Sequence, residues 1–305
     1  MKRVIAVGLA VMDKIFTVAG LPTETTKIFA SSYAEIGGGP AATASVAIAR
    51  LGGAAELWAR VGEDSIGRRI VEELVEWGVE PRVKAIPGTG SNVSGVLVDA
   101  RGERLIISYT DPRLDTDPSW LPIEELSTAD AILADVRWPQ ASETALKHAR
   151  RLGIPTVLDA DLAPDDVVQR LIPLASFAIF SAPALFKLAG DDSVPGALAQ
   201  AAQLTAGHVG VTVGEEGFFW LEENTLRHEP GFSVKVVDTL GAGDVFHGAF
   251  ALAIAEGRSM QEAARFANAA SALKCTRPGG RAGIPAREEV DRLLAQRPAW
   301  ARRPC

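Results

Sequence analysis

The sequence has little cysteine and no long apolar run. Among its 305 residues only Cys275 and Cys305 carry a thiol, which excludes a disulfide framework and leads us to expect a reducing, cytoplasmic compartment. The first residues, MKRVIAVGLAVMDKIF, place two cations before an apolar run, but Gly8 and Asp13 interrupt that run. It therefore predicts a buried first strand, not a signal peptide. No segment has the length of a membrane span, so we expect no membrane partner.

The chain also lacks an excess of positive charge. Its formal net charge is -7 and its isoelectric point about 5.3, so no overall field attracts nucleic acid or an anionic membrane. An acidic protein that binds an anion must do so with a few placed cations. The four histidines do not have the spacing of metal ligands (His148, His208, His228 and His247).

Two common nucleotide-binding motifs are missing as well. No G-K-[ST] follows a glycine-rich loop, which excludes a Walker A phosphate loop. The first strand leads into G-L-A-V-M-D and not into G-x-G-x-x-G, which excludes a dinucleotide-binding dehydrogenase.

Short apolar runs alternate with longer helical patterns along most of the chain. This alternation predicts one α/β domain over residues 1–305, with a mostly parallel sheet covered by helices on both faces. The predicted strands are Val4–Gly8, Ala131–Asp135, Thr156–Asp159, Phe177–Ser181 and Val209–Val213. The predicted helices include Ala41–Leu51, Ile66–Trp77, Ser142–Leu152 and Pro195–Leu204. Around Glu223 and Asn224 the pattern predicts an antiparallel hairpin at one sheet edge.

Two segments, residues 15–36 and 91–110, alternate with period two and have no helix between their strands. Their strands are Ile15–Val18 with Lys27–Ile36, and Asn92–Asp99 with Glu103–Tyr109, the second pair turning at residues 100–102. We predict that the two segments form a small separate β-sheet, called the lid below. A sheet of this size cannot bury both faces, so one face should cover a cleft or a partner subunit. Lid-to-lid pairing in a homodimer would supply that cover.

The strongest local signal is DTLGAGDVFHGAF at residues 238–250. Its small residues Gly241, Ala242 and Gly243 come at the start of a helical run that extends from Ala242 to Ala255. Free backbone N–H groups and the helix dipole favour an anion at such a start, and glycine lets the anion approach closely. Asp244 lies in the first turn, where a carboxylate can accept the proton of an attacking hydroxyl during phosphoryl transfer. Read alone, the motif also fits an ordinary glycine-rich helix start with a capping Asp.

This segment resembles the C-terminal signature of the ribokinase-like (PfkB) carbohydrate kinases. GGGPAATASVAIARLGG at 37–53 is similar to their N-terminal signature, and RVGEDSIGRRI at 60–70, VTVGEEG at 211–217 and TRPGG at 276–280 follow in the expected order. The resemblance covers nearly the whole chain. It implies a ribokinase-like fold with a Rossmann-like sheet and a small β lid. It also implies that the protein uses ATP and Mg²⁺ to phosphorylate a sugar hydroxyl.

Within this family the sequence is most similar to the 6-deoxy-6-sulfofructose kinases, which phosphorylate the 1-hydroxyl of their sugar. The features are VMDKI at 11–15, GLPTETTK at 20–27, GGGPAATA at 37–44, LADVRWP at 133–139 and ALKCTRPGGRAGIP at 272–285. The resemblance implies that Asp244 is the catalytic base. It also implies that Gly241, Ala242 and Gly243 form the anion hole for the transferring phosphate.

The resemblance assigns further residues to an anionic sugar. Asp13 should accept hydrogen bonds from sugar hydroxyls, beside the Gly38–Gly39 turn. Lys27 and Arg137 match the cations that hold the sulfonate, a group that stays charged and needs permanent donors. Ser108 stands where this subfamily has an asparagine, which predicts a shorter and weaker contact. Without the resemblance, Asp13 also fits a turn, and the two cations also fit an exposed surface.

For ATP the resemblance points to residues that the sequence alone does not distinguish from local structure. They are Thr212, Gly214, Gly217, Asn268, Arg277 and Gly279. The loop that contains Arg277 and Gly279 would lie near the adenine or a monovalent cation.

Two departures from the family pattern bear on substrate and metal. The asparagine with which ribokinases bind the sugar is replaced by Ala42, which argues against ribose. The family's Asn-x-x-Glu motif, linked to Mg²⁺ and phosphate, falls on S-A-P-A at 181–184, so the sequence assigns no metal ligand. Two alternatives stay open. One is a PfkB kinase of another ketose, phosphorylated or neutral, and the other is a catalytically inactive sugar-binding regulator.

Overall fold

The first strand is buried on both of its faces. In the computed structural model, which describes residues 1–99 and 103–296, Arg3–Val7 pairs in parallel with a strand on each side. Val4 and Ala6 pack into one hydrophobic cluster, and Ile5 and Val7 pack into another. Successive side chains of a strand point to opposite faces, so a strand between two layers needs a continuous apolar sequence, which VIAV supplies.

The described residues form thirteen strands and nine α-helices. The strands are β1 (Arg3–Val7), β2 (Val11–Thr17), β3 (Ser32–Gly38), β4 (Ala54–Gly62), β5 (Glu80–Ile86), β6 (Val93–Val98), β7 (Arg104–Tyr109), β8 (Ala131–Asp135), β9 (Thr156–Ala160), β10 (Phe177–Ser181), β11 (His208–Thr212), β12 (Gly217–Glu222) and β13 (Thr225–Pro230). The helices are α1 (Pro40–Arg50), α2 (Ser65–Glu76), α3 (Pro139–Leu152), α4 (Asp165–Leu171), α5 (Ala182–Ala189), α6 (Val194–Ala202), α7 (Ala242–Ala255), α8 (Met260–Cys275) and α9 (Arg287–Ala295). None of these helices is long and apolar enough to cross a membrane.

Nine strands form the main sheet, in the order β13-β12-β11-β10-β9-β8-β1-β4-β5. All neighbours are parallel except at the edge formed by β12 and β13, which run antiparallel to β11 and to each other. The β12–β13 turn uses Glu223 and Asn224 with φ of 49° and 64°, the left-handed conformations of a tight hairpin. The predicted α/β architecture and edge hairpin are therefore confirmed.

The lid is a separate four-stranded sheet, as predicted, and its strand order is β3-β2-β6-β7. Its outer strand β7 exposes Ile106 by 52% and Ile107 by 66% of their surfaces, and Tyr33 on the opposite edge strand is 53% exposed. The sheet therefore carries apolar side chains that the rest of the described chain does not cover.

The bounds of the lid differ from the sequence prediction in two places. Strand β2 begins at Val11, so Asp13 lies inside a lid strand and not before it. Strand β3 begins at Ser32, so Lys27 lies in the loop between β2 and β3 and not in a strand. The predicted turn at residues 100–102 lies outside the described residues.

Candidate active site

Helix α7 begins with the Gly241-Ala242-Gly243 turn. Gly241 takes the left-handed conformation, with φ of 76° and ψ of 9°, directly before the first helical residue. The helix is buried from Val245 to Ala255, which fixes the position of its start. The first N–H groups of a helix have no intrahelical partner, so the turn offers donors and a positive dipole end to an anion.

Asp244 lies in the first turn of α7, at a cleft that Asp13, Gly38 and Arg281 also line. Burial is the main cause that raises the pKa of Asp244 to about 7, and the nearby Asp159 carboxylate adds to the effect. A carboxylate whose pKa lies near neutral pH is well matched to general base catalysis. The geometry therefore gives Asp244 both the position and the proton affinity of a base.

The three glycines before α1 let the lid strand β3 run closely over this cleft. A Cβ at Gly37 would collide with the Arg281 guanidinium, and a Cβ at Gly38 would collide with the Asp13 carboxylate. Gly39 has φ of 96°, and a Cβ there would collide with the carbonyl oxygen of Leu9. Each glycine therefore makes room for a different neighbour, and two of those neighbours are charged groups of the cleft.

Asp13 and Ser108 lie in one row across the lid. Asp13 on β2 is opposite Ser94 on β6, and Ser94 is opposite Ser108 on β7. The Ser94 and Ser108 hydroxyl oxygens are 3.5 Å apart. Burial raises the pKa of Asp13 to about 6, against the lowering effect of the hydrogen bond from Ser94. The row brings together two residues that were predicted to contact the sugar.

Arg281 is a residue of the cleft that the sequence interpretation missed. Its side chain is 2% exposed, its Nη2 donates to the carbonyl oxygen of Gly38 at 2.9 Å, and its Nη1 contacts Glu73 at 3.2 Å. Glu73 in turn accepts a hydrogen bond from the Gly37 N–H at 2.8 Å. Arg281 follows the TRPGG segment that the sequence had marked, so the signal was present but was assigned to Arg277.

The two cations predicted to hold an anion have different surroundings. Arg137 follows β8 at the carboxyl end of the sheet and is not a lone guanidinium, because its Nη2 pairs with Asp161 at 2.8 Å. The Arg137 side chain remains 36% exposed. Lys27 is exposed in the β2–β3 loop, and its ammonium lies 5.5 Å from the centre of the Phe29 ring.

A second cavity, of about 390 Å³, lies on the other side of the α7 start. Gly214 and Asn268 line it together with Ala242 of the Gly241–Gly243 turn. Further lining residues are largely apolar or small and include Phe232, Val234, Val236, Ser271, Ala272 and Cys275. An apolar cavity that ends at a helix N-terminus suits a nucleotide, with the base in the cavity and the phosphates at the turn.

The other residues predicted to bind ATP are held by the protein itself. The Thr212 hydroxyl donates to the carbonyl oxygen of Phe180 at 3.3 Å. Gly217 has φ of 96°, and a Cβ there would collide with the backbone of β13, so the hairpin requires this glycine. The Arg277 guanidinium pairs with Glu289 of α9, and the Gly279 N–H donates to Asp238 at 3.1 Å.

Comparison with known proteins identifies the family. The sequence model described as "pfkB family carbohydrate kinase" matches residues 1–287. The chain belongs to the PfkB family of carbohydrate kinases. It is therefore a sugar kinase, a phosphotransferase with an alcohol group as acceptor, and the family resemblance seen in the sequence is confirmed.

Several PfkB relatives are similar over their whole length. Ribokinase of Bacillus subtilis is 28% identical over 97% of this chain and 100% of its own. A crystal structure from Agrobacterium tumefaciens, provisionally assigned as a ribokinase, is 40% identical with a TM-score of 0.93, and the match covers 99% of each chain. The structure of Arabidopsis thaliana ribokinase complexed with ribose and ATP is 26% identical with a TM-score of 0.84, over 97% of this chain and 99% of that one.

Carboxylates beside the base are the candidates for a PfkB magnesium site. At the position of the Asn-x-x-Glu motif, the Ser181 hydroxyl caps α5 and donates to Asp161 at 2.9 Å. Asp159 is buried, and burial raises its pKa well above the usual range, with Asp161 and Asp135 adding to the effect. No group of three metal-ligating side chains occurs within residues 1–99 and 103–296. Since Mg²⁺ is usually held by one or two carboxylates plus substrate phosphates, Asp159 and Asp161 still fit this ion.

Proposed function

We propose that this PfkB kinase transfers the γ-phosphoryl group of ATP to the 1-hydroxyl of 6-deoxy-6-sulfofructose, giving 6-deoxy-6-sulfofructose 1-phosphate. Asp244 takes the proton of the 1-hydroxyl, the sugar oxygen bonds to the γ-phosphorus, and the bond from that phosphorus to the ADP oxygen breaks. The N–H groups of the Gly241–Gly243 turn stabilise the charge on the transferring group. Mg²⁺ bound through Asp159 or Asp161 would neutralise charge on the ATP phosphates.

One observation carries the choice of an anionic sugar, namely the Arg137 guanidinium at the carboxyl end of the parallel sheet. Ligands of open α/β sheets bind at this end of the strands. Asp161 bonds to Nη2, and a guanidinium has five N–H donors, so the partly exposed Arg137 keeps donors for a substrate anion. Lys27, on the β2–β3 loop of residues 18–31, is the second cation we assign to the sulfonate.

The sugar hydroxyls are assigned to the row on the lid. Asp13 accepts from sugar hydroxyls because it is a half-buried acceptor that lines the same cleft as Asp244. We assign Ser108, at the other end of the same row, to the sulfonate, to which its short side chain would donate a hydroxyl hydrogen bond. Gly38 and Gly39 line the same cleft, and the absence of a side chain at Gly38 lets the sugar approach the Asp13 carboxylate.

ATP is assigned to the cavity lined by Gly214, Asn268 and Ala242. Asn268 donates to the carbonyl oxygens of Glu229 and Pro230 at 2.9 and 3.2 Å, so it shapes the wall of the cavity and leaves its own carbonyl oxygen as an acceptor. We also assign Thr212 and Gly279 to the nucleotide side, where their own bonds go to Phe180 and Asp238, whereas Arg277 and Gly217 support the surrounding loops.

A neutral pentose is the second candidate, because the relatives named above include ribokinases. Against ribose stands Ala42, which is buried in α1 and offers no side-chain amide for a sugar. Steady-state assays of ATP consumption with sulfofructose, fructose 6-phosphate, fructose and ribose separate these substrates. We expect the highest kcat/KM with sulfofructose, by at least about tenfold, since one charged hydrogen bond supplies that much discrimination.

Each other outcome of this panel contradicts the substrate proposal in a different way. Preference for fructose 6-phosphate would mean that the anion site binds a phosphate and not a sulfonate. Preference for ribose or fructose would remove the role of Arg137 and Lys27. No ATP consumption with any sugar, together with measurable sugar binding, would favour the inactive regulator. Phosphorus–carbon couplings in the product spectrum would report whether the 1-hydroxyl is the acceptor.

We also propose that two copies of the chain pair through their lids. The lid exposes Leu105, Ile107 and Tyr109 on one face of β7, and Tyr33 of β3 lies in the same cross-strand row as Leu105. Contiguous exposed apolar side chains of this kind mark an interaction surface, and an edge strand offers unpaired backbone groups to a second copy. A homodimer covers the same patch on both subunits at once.

A further inference from the structure

Lys274 is a fully buried cation next to the last residue of α8. Its side chain is 0% exposed, and its Nζ donates to the carbonyl oxygen of Asp238 at 2.8 Å. The same Nζ lies 3.3 Å from Asp238 Oδ2. Burial lowers the pKa of Lys274, and the Asp238 carboxylate opposes this effect. A buried ammonium is costly unless it is paired, so this lysine is kept in place by Asp238.

Asp238 joins three segments that surround the Gly241–Gly243 turn. Its Oδ1 accepts from the Leu240 N–H at 2.8 Å and from Arg104 of lid strand β7 at 2.8 Å. Its Oδ2 accepts from the N–H groups of Gly279 and Gly280 at 3.1 and 3.3 Å. The residue after Lys274 adds to this link, because its carbonyl oxygen accepts from the N–H groups of residues 237 and 238.

This arrangement does not fit the monovalent cation that the family resemblance allowed near the loop of Gly279. A carboxylate has about four lone-pair sites, and four hydrogen bonds and the Lys274 ammonium surround that of Asp238. A metal ion at this place needs oxygen ligands that are still available. Here the position against the carboxylate and carbonyl oxygens of Asp238 is taken by an ammonium.

We propose that the Lys274 ammonium replaces a monovalent metal ion in this kinase and that its activity needs neither K⁺ nor Na⁺. The ammonium supplies the positive charge that holds Asp238, and Asp238 orients Leu240 just before the Gly241 turn. Lys274 is thus a positioning residue, because it acts on the phosphate through the turn and does not touch it. The inference rests on the kinase reaction of the family but not on the identity of the sugar.

The wild-type protein provides the first test. Activity and melting temperature are measured in KCl, NaCl and choline chloride at equal ionic strength, so that screening of charges is the same. We expect kcat and KM for ATP to agree within about twofold in all three salts. The melting temperatures should agree within about one degree. Activation by K⁺ of about tenfold or more, or a melting temperature raised by K⁺ alone, would overturn the proposal.

Two variants of Lys274 provide the second test. Lys274→Ala leaves space for an ion, whereas Lys274→Met fills the space with an uncharged side chain. Each should lower kcat by about tenfold or more, since removing one partner of a buried pair leaves the other uncompensated. K⁺ or ammonium should restore activity and melting temperature of Lys274→Ala and leave Lys274→Met unchanged.

Lys147→Ala, which removes an exposed lysine of α3, is the matched control and should behave as wild type in every salt. If Lys274→Ala is as active as wild type in choline chloride, or if no cation restores it, the proposed replacement is wrong. If this variant does not fold, the wild-type comparison of salts decides. The melting temperatures do not depend on the substrate, so an incorrect sugar assignment would leave them informative.

Discussion

Replacing Arg137 with alanine separates recognition of the substrate's anion from the rest of sugar binding. The Arg137 guanidinium is 36% exposed and donates through Nη2 to Asp161. No other side-chain hydrogen bond of Arg137 occurs among the described residues. A sulfonate that reaches Arg137 therefore meets a guanidinium with donors to spare, already oriented by a carboxylate.

The size of the effect follows from two opposing features of this pair. A hydrogen bond to a charged group is worth about 1.5–3 kcal/mol, which corresponds to roughly 10- to 150-fold in kcat/KM. Exposure to solvent weakens the Arg137 contact and favours the lower part of that range. Loss of Arg137 also leaves the Asp161 carboxylate without its cationic partner, and its repulsion of the substrate anion increases the loss. We therefore expect a decrease of about 30-fold for sulfofructose, within the range above.

The assay compares kcat/KM for sulfofructose and for fructose in wild type, Arg137→Ala and Arg137→Lys. Fructose has no anion at this position, so Arg137→Ala should change its kcat/KM by less than about threefold. Arg137→Lys should recover part of the loss, because it keeps the charge and loses the planar fork. Arg151→Ala, at the opposite end of α3, removes the same charge on an exposed surface and should leave both substrates unchanged.

One result would refute the reasoning directly. If Arg137→Ala lowers kcat/KM for both substrates by the same factor, Arg137 supports the structure through Asp161 and does not recognise an anion. The case for a sulfonated substrate would then lose its main observation, while the assignment of the chain to the PfkB kinases would be unaffected.

Three further predictions concern the base, its titration and the lid. Asp244→Asn should lower kcat by about 10²–10⁴ while sugar and ATP still bind by calorimetry, and a loss below about tenfold would mean that another group is the base. Because a base must be unprotonated and the pKa of Asp244 is raised to about 7, kcat/KM should rise with pH up to about 7 and level off above it; a profile flat from pH 5 to 8 would exclude this titration. Light scattering should give about twice the chain mass of 32.2 kDa, and Ile107→Glu should give the monomer, whereas a wild-type monomer at high concentration would contradict lid pairing.

Local patterns in the sequence were sufficient for most of the fold. The helix predicted from Ala242 to Ala255 has these bounds in the structure, because its small N-terminal residues and apolar run are both local signals. The strands Ala131–Asp135 and Phe177–Ser181 also have their predicted bounds. Lid strand β2 was predicted to start too late, because the polar residues Asp13 and Lys14 interrupt its apolar alternation.

The cleft was harder to predict, because its charged groups meet across long distances in the sequence. Arg277 and Arg281 are both arginines of the same loop, so the sequence does not distinguish them. The turn at Gly280–Gly283 directs only Arg281 into the cleft. Arg277 is instead paired with Glu289. The pairing of Arg137 with Asp161 joins the ends of two neighbouring strands, and no periodicity in the sequence reports such a contact.

The close approach of β3 to the cleft also limits how this enzyme can be engineered. Any side chain at residue 37 or 38 would have to displace Arg281 or Asp13, so a library aimed at new acceptors should leave the glycines before α1 unchanged. The β2–β3 loop and strand β7 carry Lys27 and Ser108 on exposed backbone, where size and charge can vary without disturbing the buried groups. Diversity in sugar preference should therefore be sought in the β2–β3 loop and in strand β7, with Asp13, Gly37 and Gly38 held constant.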